Sequence, residues 1–144
     1  MATRTARTAW NGGLMDGSGQ VELTSSGVGT YEVDFPKRTA DSSPGTTSPE
    51  ELIAAAHSSC FAMSISNEVA QAGGTPHSVE VVADVTVGPD STGGFGLTVH
   101  LKAVVEVEGL DDDTFAKAAD AARSGCPVSK ALAAIPVTVE VVRA

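Results

Sequence analysis

The sequence predicts an α+β fold with an antiparallel sheet, on three observations. Val79, Val81, Ala83, Val85 and Val87 alternate with Glu80, Asp84 and Thr86, the period-two pattern of a half-buried strand. After a turn at residues 89–94, Leu97, Val99, Leu101, Ala103, Val105 and Val107 face one way and Thr98, His100, Lys102 and Glu106 the other, so the two runs form a long hairpin. Residues 50–71 are rich in Ala, Leu, Ile and Met and hold only three charges, Glu50, Glu51 and Glu68. A helix so apolar on nearly every side is expected to be a long, buried, central one.

The remaining elements follow in order. Residues 4–10, 20–24 and 30–35 are short strand-like runs separated by Asn11-Gly12-Gly13, Asp16-Gly17 and Ser26-Gly27, which predicts a small antiparallel meander. Residues 39–48 read TADSSPGTTS, a loop by turn chemistry. Ser48 suits a helix N-cap, Pro49 the N1 position, and Glu51 completes a capping box three residues after Ser48. Gly73-Gly74 stops this helix. Asp111, Asp112 and Asp113 crowd the start of the next helix, where negative charge complements the macrodipole, and Phe115, Ala118, Ala119 and Ala122 form its apolar stripe. Ser124-Gly125 ends it. Pro127 then opens a short helix over residues 128–134 with Cys126 at its N-cap, and Val137, Val139 and Val141 make the last strand. With neither repeat nor linker in the pattern, residues 1–144 read as one domain.

Composition narrows the function classes. Eighteen Asp and Glu against nine Lys and Arg give a net charge of −9, with no cluster of basic residues to attract a phosphate backbone, so nucleic-acid binding is not expected. No secretory signal and no membrane-spanning apolar run is present, which predicts a cytoplasmic protein without membrane attachment. A chain of 144 residues can bury enough surface to fold without disulfide or metal staples. In a reducing compartment its two cysteines are catalytic, metal-binding or merely buried.

A free thiol near pKa about 8.5 is mostly protonated at neutral pH, so a reactive Cys60 needs something to favour its thiolate. No Lys or Arg occurs between Thr39 and His100, and Arg38, beside Lys37, is the nearest cation in sequence. A solvated strand-end charge is its alternative reading. His57 lies one helical turn before Cys60, which admits a Cys–His nucleophile pair, half of a zinc site, or a core histidine bonded to a carbonyl or hydroxyl. The chain has no Cys-x-x-Cys or His-x-x-x-His spacing, which disfavours the metal reading. In one unbroken helix Glu50 stands about 15 Å along the axis from Cys60, too far for contact. Either the helix breaks near His57-Ser58-Ser59, or Glu50 reaches Cys60 of a second subunit, or Glu50 simply complements the helix dipole. Cys126, at a helix N-terminus, has the better intrinsic claim to a low pKa, so the residues alone do not choose the nucleophile. As a static disulfide the two cysteines would close a loop of about 66 residues, worth roughly 4 kcal/mol by loop entropy.

Two segments, Thr47-Ser48-Pro49-Glu50-Glu51-Leu52-Ile53-Ala54-Ala55-Ala56-His57-Ser58-Ser59-Cys60-Phe61 and Gly125-Cys126-Pro127-Val128-Ser129-Lys130, strongly resemble the osmotically inducible protein C (OsmC) and organic hydroperoxide resistance (Ohr) family. Trp10-Asn11-Gly12 and the last Val-rich strand extend the resemblance over nearly the whole chain. An Ohr-type arginine after an early Gly-Gly is replaced here by Leu14-Met15 after Gly12-Gly13, and the second cysteine motif reads Cys-Pro-Val-Ser, which places the chain on the OsmC side.

The resemblance implies an OsmC-like fold in an obligate intertwined homodimer, with the cysteine helices at its centre and two active sites at the subunit interface. It implies a thiol-dependent peroxidase acting on organic hydroperoxides, and more weakly on hydrogen peroxide, in oxidative defence. No cofactor is called for. By the same resemblance Cys60 is the peroxidatic cysteine and becomes a sulfenic acid, Cys126 resolves it as a disulfide, and an external dithiol reduces that bond. Glu50 matches the family glutamate that holds the essential arginine, and Arg38 is the best match for that arginine. Phe61 and Met63 are expected at or around an apolar pocket. Two readings compete: a non-enzymatic redox-sensing or ligand-binding dimer, and a Cys–His hydrolase with His57 as base.

Overall fold

The computed structural model describes residues 1–144, and its strands and helices divide between two units, Met1–Glu51 and Leu52–Ala144. In the first, β1 (Arg7–Asn11), β2 (Ser18–Glu22) and β3 (Thr30–Val33) form the expected antiparallel meander, in the order β1-β2-β3. Its strands are mostly exposed, and Val21 is the buried apolar side chain among them. β3 stops earlier than the sequence pattern predicts because a short helix, α1 (Phe35–Arg38), starts there. Asp34 is its N-cap, with Oδ1 accepting from the Lys37 N–H at 2.7 Å, and Pro36 lies in the first turn, where a missing N–H costs nothing. The loop that follows returns to β3, where the Thr47 N–H donates to the Glu32 carbonyl at 2.9 Å.

Helix α2 (Pro49–Gln71) begins where Ser48-Pro49 predicts. The Ser48 hydroxyl accepts from the Glu51 N–H at 3.1 Å, but the Glu51 carboxylate takes the Thr47 hydroxyl at 2.6 Å. The capping box therefore closes on one arm only. Gly73, at φ +90°, lies just past the helix end, where a side chain would be strained.

The second unit holds most of α2, then β4 (Thr75–Pro89), β5 (Phe95–Glu108), α3 (Asp112–Gly125), α4 (Pro127–Ala131) and β6 (Val137–Arg143). β4 and β5 are the long antiparallel hairpin. β6, however, pairs with β5 in parallel, which corrects the expectation of a wholly antiparallel sheet. Helices α3 and α4 form the long connection that a parallel pair requires and a hairpin turn cannot supply.

Phe61, Ile65 and Val69, spaced four apart on α2, pack into one core with Val99, Leu101, Ala103 and Val105 of β5 and the predicted stripe of α3. Fully burying each of the larger side chains contributes about 1.5–3 kcal/mol. The other face of α2, Ala55, Ala56, Ser59, Met63 and Asn67, is exposed in the single chain, so the helix is buried along one stripe rather than all round. No helix is long and apolar enough to cross a membrane.

Candidate functional site

The core stripe of α2 brings Cys60 to the edge of the core, one residue before Phe61. Cys126 is fully buried where α3 ends and α4 begins, with Pro127 fixing the turn between them. The two sulfurs lie 3.3 Å apart, across 66 residues of sequence, and both cysteines are free thiols. That is contact distance, well beyond a disulfide bond of about 2.05 Å.

The thiols have opposite acidities. Burial pushes the Cys60 thiol up, and the neighbouring Cys126 adds to this against an opposing backbone hydrogen bond from Val128. Burial also penalises the Cys126 thiolate. Hydrogen bonding from the Ser129 hydroxyl and backbone N–H, together with Cys60 and the Val128 N–H, outweighs that penalty and leaves Cys126 below the usual thiol range. The sulfur closes no short capping bond, so the N–H groups of the first turn act on it at longer range. In the reduced pair the Cys126 thiol lies in donor contact with the Cys60 sulfur.

His57 is fully buried, and its Nε2 lies 2.8 Å from the Ser129 hydroxyl, 72 residues away in sequence. The ring is thus the hydroxyl-bonded core histidine among the readings open to it, and its bond goes to Ser129 rather than to Cys60. Burial lowers its pKa, and Nδ1 has no hydrogen-bond partner. Burial opposes the imidazolium that a Cys–His hydrolase must form when the ring takes the thiol proton. Ser129 was not a candidate from sequence. Its signal was its position three residues after an N-cap cysteine, one turn along α4.

In the first unit, the end of α1 and the start of α2 bring together Arg38 and Glu50. Arg38 Nε donates to both carboxylate oxygens of Glu50, at 3.0 and 3.2 Å, and Nη2 donates to Oε1 at 2.6 Å. Such a fork is the geometry that fixes a guanidinium most firmly. Glu50 is buried, while a third of the Arg38 side chain remains exposed. The Arg38 hydrogen bonds hold the Glu50 carboxyl below its usual range against the opposing effect of burial, and Glu50 raises the Arg38 pKa in turn. Lys37 is tied down separately, donating to the Thr46 hydroxyl at 2.9 Å. α2 runs unbroken from Pro49 to Gln71, which removes the reading in which a break near His57 lets Glu50 fold back onto Cys60.

Phe61 is fully buried in the core, whereas Met63 is 68% exposed and borders a groove of about 530 Å³ with Ala62, Ser66, Pro76 and Val79. No three His, Cys, Asp or Glu side chains converge to hold a metal ion.

Residues 40–141 match the family model described as OsmC-like protein. A curated relative, Peroxiredoxin OsmC of Escherichia coli strain K12, is 40% identical over 126 residues, covering 87% of this chain and 86% of its own. Among solved structures, an organic hydroperoxide resistance protein from Elizabethkingia anophelis has a TM-score of 0.80 at 29% identity, covering 100% of this chain and 98% of its own. The organic hydroperoxide resistance protein OhrB of Bacillus subtilis has a TM-score of 0.72 at 29% identity, covering 95% and 97%.

Proposed function

The chain belongs to the OsmC-like protein family, and from that premise we propose that it is a cysteine-based peroxidase that reduces organic hydroperoxides in oxidative defence. The observation that carries the reading is the pair of free thiols held 3.3 Å apart by rigid elements. At that separation one sulfur can capture the other as soon as it is oxidised.

In the proposed cycle the Cys60 thiolate attacks the O–O bond of the hydroperoxide. Cys60 becomes a sulfenic acid and the alkoxide leaves, taking up one proton to become the alcohol. The Cys126 thiolate then attacks the Cys60 sulfur and displaces hydroxide, forming the Cys60–Cys126 disulfide. An external dithiol restores both thiols.

Burial opposes the Cys60 thiolate, so this assignment requires a cation at Cys60. Arg38, held by Glu50, is the proposed source of that charge. Glu50 lies about 15 Å along a continuous helix from its own Cys60, which supports delivery from a second copy. The exposed Ala55–Ala56–Ser59–Met63 face of α2 is the surface such a copy would cover, in a homodimer with two sites at the interface. An apolar surround of that kind favours bulky hydroperoxides over hydrogen peroxide.

Turnover tests the reading. With excess cumene hydroperoxide and a dithiol, the protein is expected to consume many equivalents. Consumption that stops after about one equivalent, despite the dithiol, would assign it to the redox-sensing class instead.

A further inference from the structure

The cycle proposed above leaves His57 without a task, although it is buried, polar and joined to the cysteine pair. His57 Nε2 lies 2.8 Å from Ser129 Oγ, Ser129 follows Cys126 by three residues on α4 with its hydroxyl and N–H favouring the Cys126 thiolate, and the Cys126 sulfur touches Cys60 at 3.3 Å. Four side chains from α2, the α3–α4 junction and α4 thus belong to one cluster, taken in the order His57, Ser129, Cys126, Cys60.

The unpartnered Nδ1 gives this order a direction. If Nε2 accepted the Ser129 hydroxyl hydrogen, Nδ1 would carry the ring hydrogen as a buried, unpaired donor. If Nε2–H donates to Ser129 Oγ, Nδ1 is a bare acceptor, and unpaired acceptors are tolerated more readily than unpaired N–H groups. A protonated ring would bury both a charge and an unpaired donor. The neutral Nε2–H form therefore has the lowest cost. It occupies the Ser129 oxygen from one side and leaves the hydroxyl hydrogen free for the sulfur.

We propose that His57 and Ser129 are positioning residues for the resolving step: His57 Nε2–H orients the Ser129 hydroxyl, which donates to Cys126 and stabilises its thiolate once Cys60 has become a neutral sulfenic acid. The inference rests on the peroxidase reading. The Cys126 thiol gives up its proton, which is the one the departing alkoxide requires. The Cys126 thiolate attacks the Cys60 sulfenic sulfur, the S–O bond breaks, and hydroxide leaves to be protonated by solvent. Cys126 is oxidised and the Cys60 sulfenic sulfur is reduced, both ending in the disulfide. A hydroxyl donor matters most between these events, when the negative charge has left Cys60 and sits on Cys126 alone.

The surroundings leave this task to Ser129. From α2 the titratable groups at the cluster are His57 and Cys60, with Glu68 further along beside Gly125. From α3, Arg123 is committed to Asp120 at 3.3 Å and to the Val139 carbonyl at 2.6 Å. Lys130 of α4 is exposed, and β6 presents only Val137 and Val139 to the pocket of about 360 Å³ that Ser129 lines.

Two measurements test the proposal, and neither depends on turnover. In Cys60→Ser, where no charge sits at position 60, the Cys126 thiolate is titrated by its ultraviolet absorbance. Adding Ser129→Ala is expected to raise the midpoint by about one pH unit, a tenfold loss of thiolate at fixed pH, while Ser129→Thr, which keeps the hydroxyl, restores it. An unchanged midpoint in folded Ser129→Ala would overturn the proposal. In the reduced parent chain, nitrogen NMR of His57 is expected to show the neutral Nε2–H form, and the Nδ1–H form would overturn it equally. If hydroperoxide turnover is absent while both results hold, the peroxidase reading fails and the His57–Ser129 role at Cys126 stands.

Discussion

The two units of the chain carry opposite halves of the proposed chemistry on opposite kinds of scaffold. Met1–Glu51 supplies a cation and the carboxylate that grips it, at the end of α1 and the start of α2, in a unit whose meander has a single buried apolar strand residue, Val21. Leu52–Ala144 supplies both thiols, set into a core in which Phe61, Ile65, Leu101, Ala103 and Val105 are fully buried. Two sulfurs that must meet need fixed backbones on both sides, which dense packing gives. A guanidinium needs only its own partner. The three-bond fork to Glu50 holds Arg38 where little hydrophobic packing is available.

The sharpest way to break the comparison is at the thiols. Cys60→Ser is expected to abolish hydroperoxide consumption, whereas Cys126→Ser should still react once and halt as a trappable sulfenic acid; stopped assays with a sulfenic-acid probe distinguish them. In stability the contrast should favour the second unit. Leu101→Ala is expected to cost about 2–5 kcal/mol in urea unfolding, and Val21→Ala about 1–2 kcal/mol, because the thinner unit has less packing to lose.

Arg38→Lys keeps the charge but not the fork, so the peroxidatic rate should fall about tenfold or more, measurable by rapid mixing with cumene hydroperoxide. The Glu50 carboxyl is held below its usual range, so the stability it contributes is present above the ordinary glutamate range and lost as pH falls through its lowered pKa. Glu50→Gln should therefore flatten the acid limb of the stability curve. Solvent screening of the partly exposed Arg38 limits the effect to about 1 kcal/mol.

His57 should show only in the pH dependence of stability. Burial disfavours its protonation in the fold, while the unfolded chain takes up a proton below about pH 6.5. Stability should therefore decline as pH drops from there toward the lowered folded value, at no more than about 1.4 kcal/mol per pH unit. His57→Gln should remove that slope in chemical denaturation between pH 5 and 7.

What could be read from sequence was what the chain writes locally. Ser48-Pro49 marked the start of α2, the period-two valines marked β4 and β5, and Phe115, Ala118, Ala119 and Ala122 marked the buried side of α3. α1 went unread, although Asp34 and Pro36 carried its capping signal, because four residues are too few to show a helical period. The direction of β6 is not in its pattern at all, since alternation is the same for parallel and antiparallel strands. At the site, motif resemblance named Cys60, Cys126, Arg38 and Glu50. The Arg38–Glu50 fork and the sulfur contact are what the structure adds to those names. Ser129 stood in the second cysteine motif without a role, because its partner His57 is on a different helix 72 residues away. The proposal that Arg38 of a second copy serves Cys60 rests on the unbroken helix and on resemblance together.

The most direct test of the account is a thiol count on the fully reduced protein before and after one equivalent of cumene hydroperoxide. The account predicts loss of both thiols in the parent chain, and in Cys126→Ser loss of the Cys60 thiol with a sulfenic acid trapped at that residue. Retention of both thiols would contradict it.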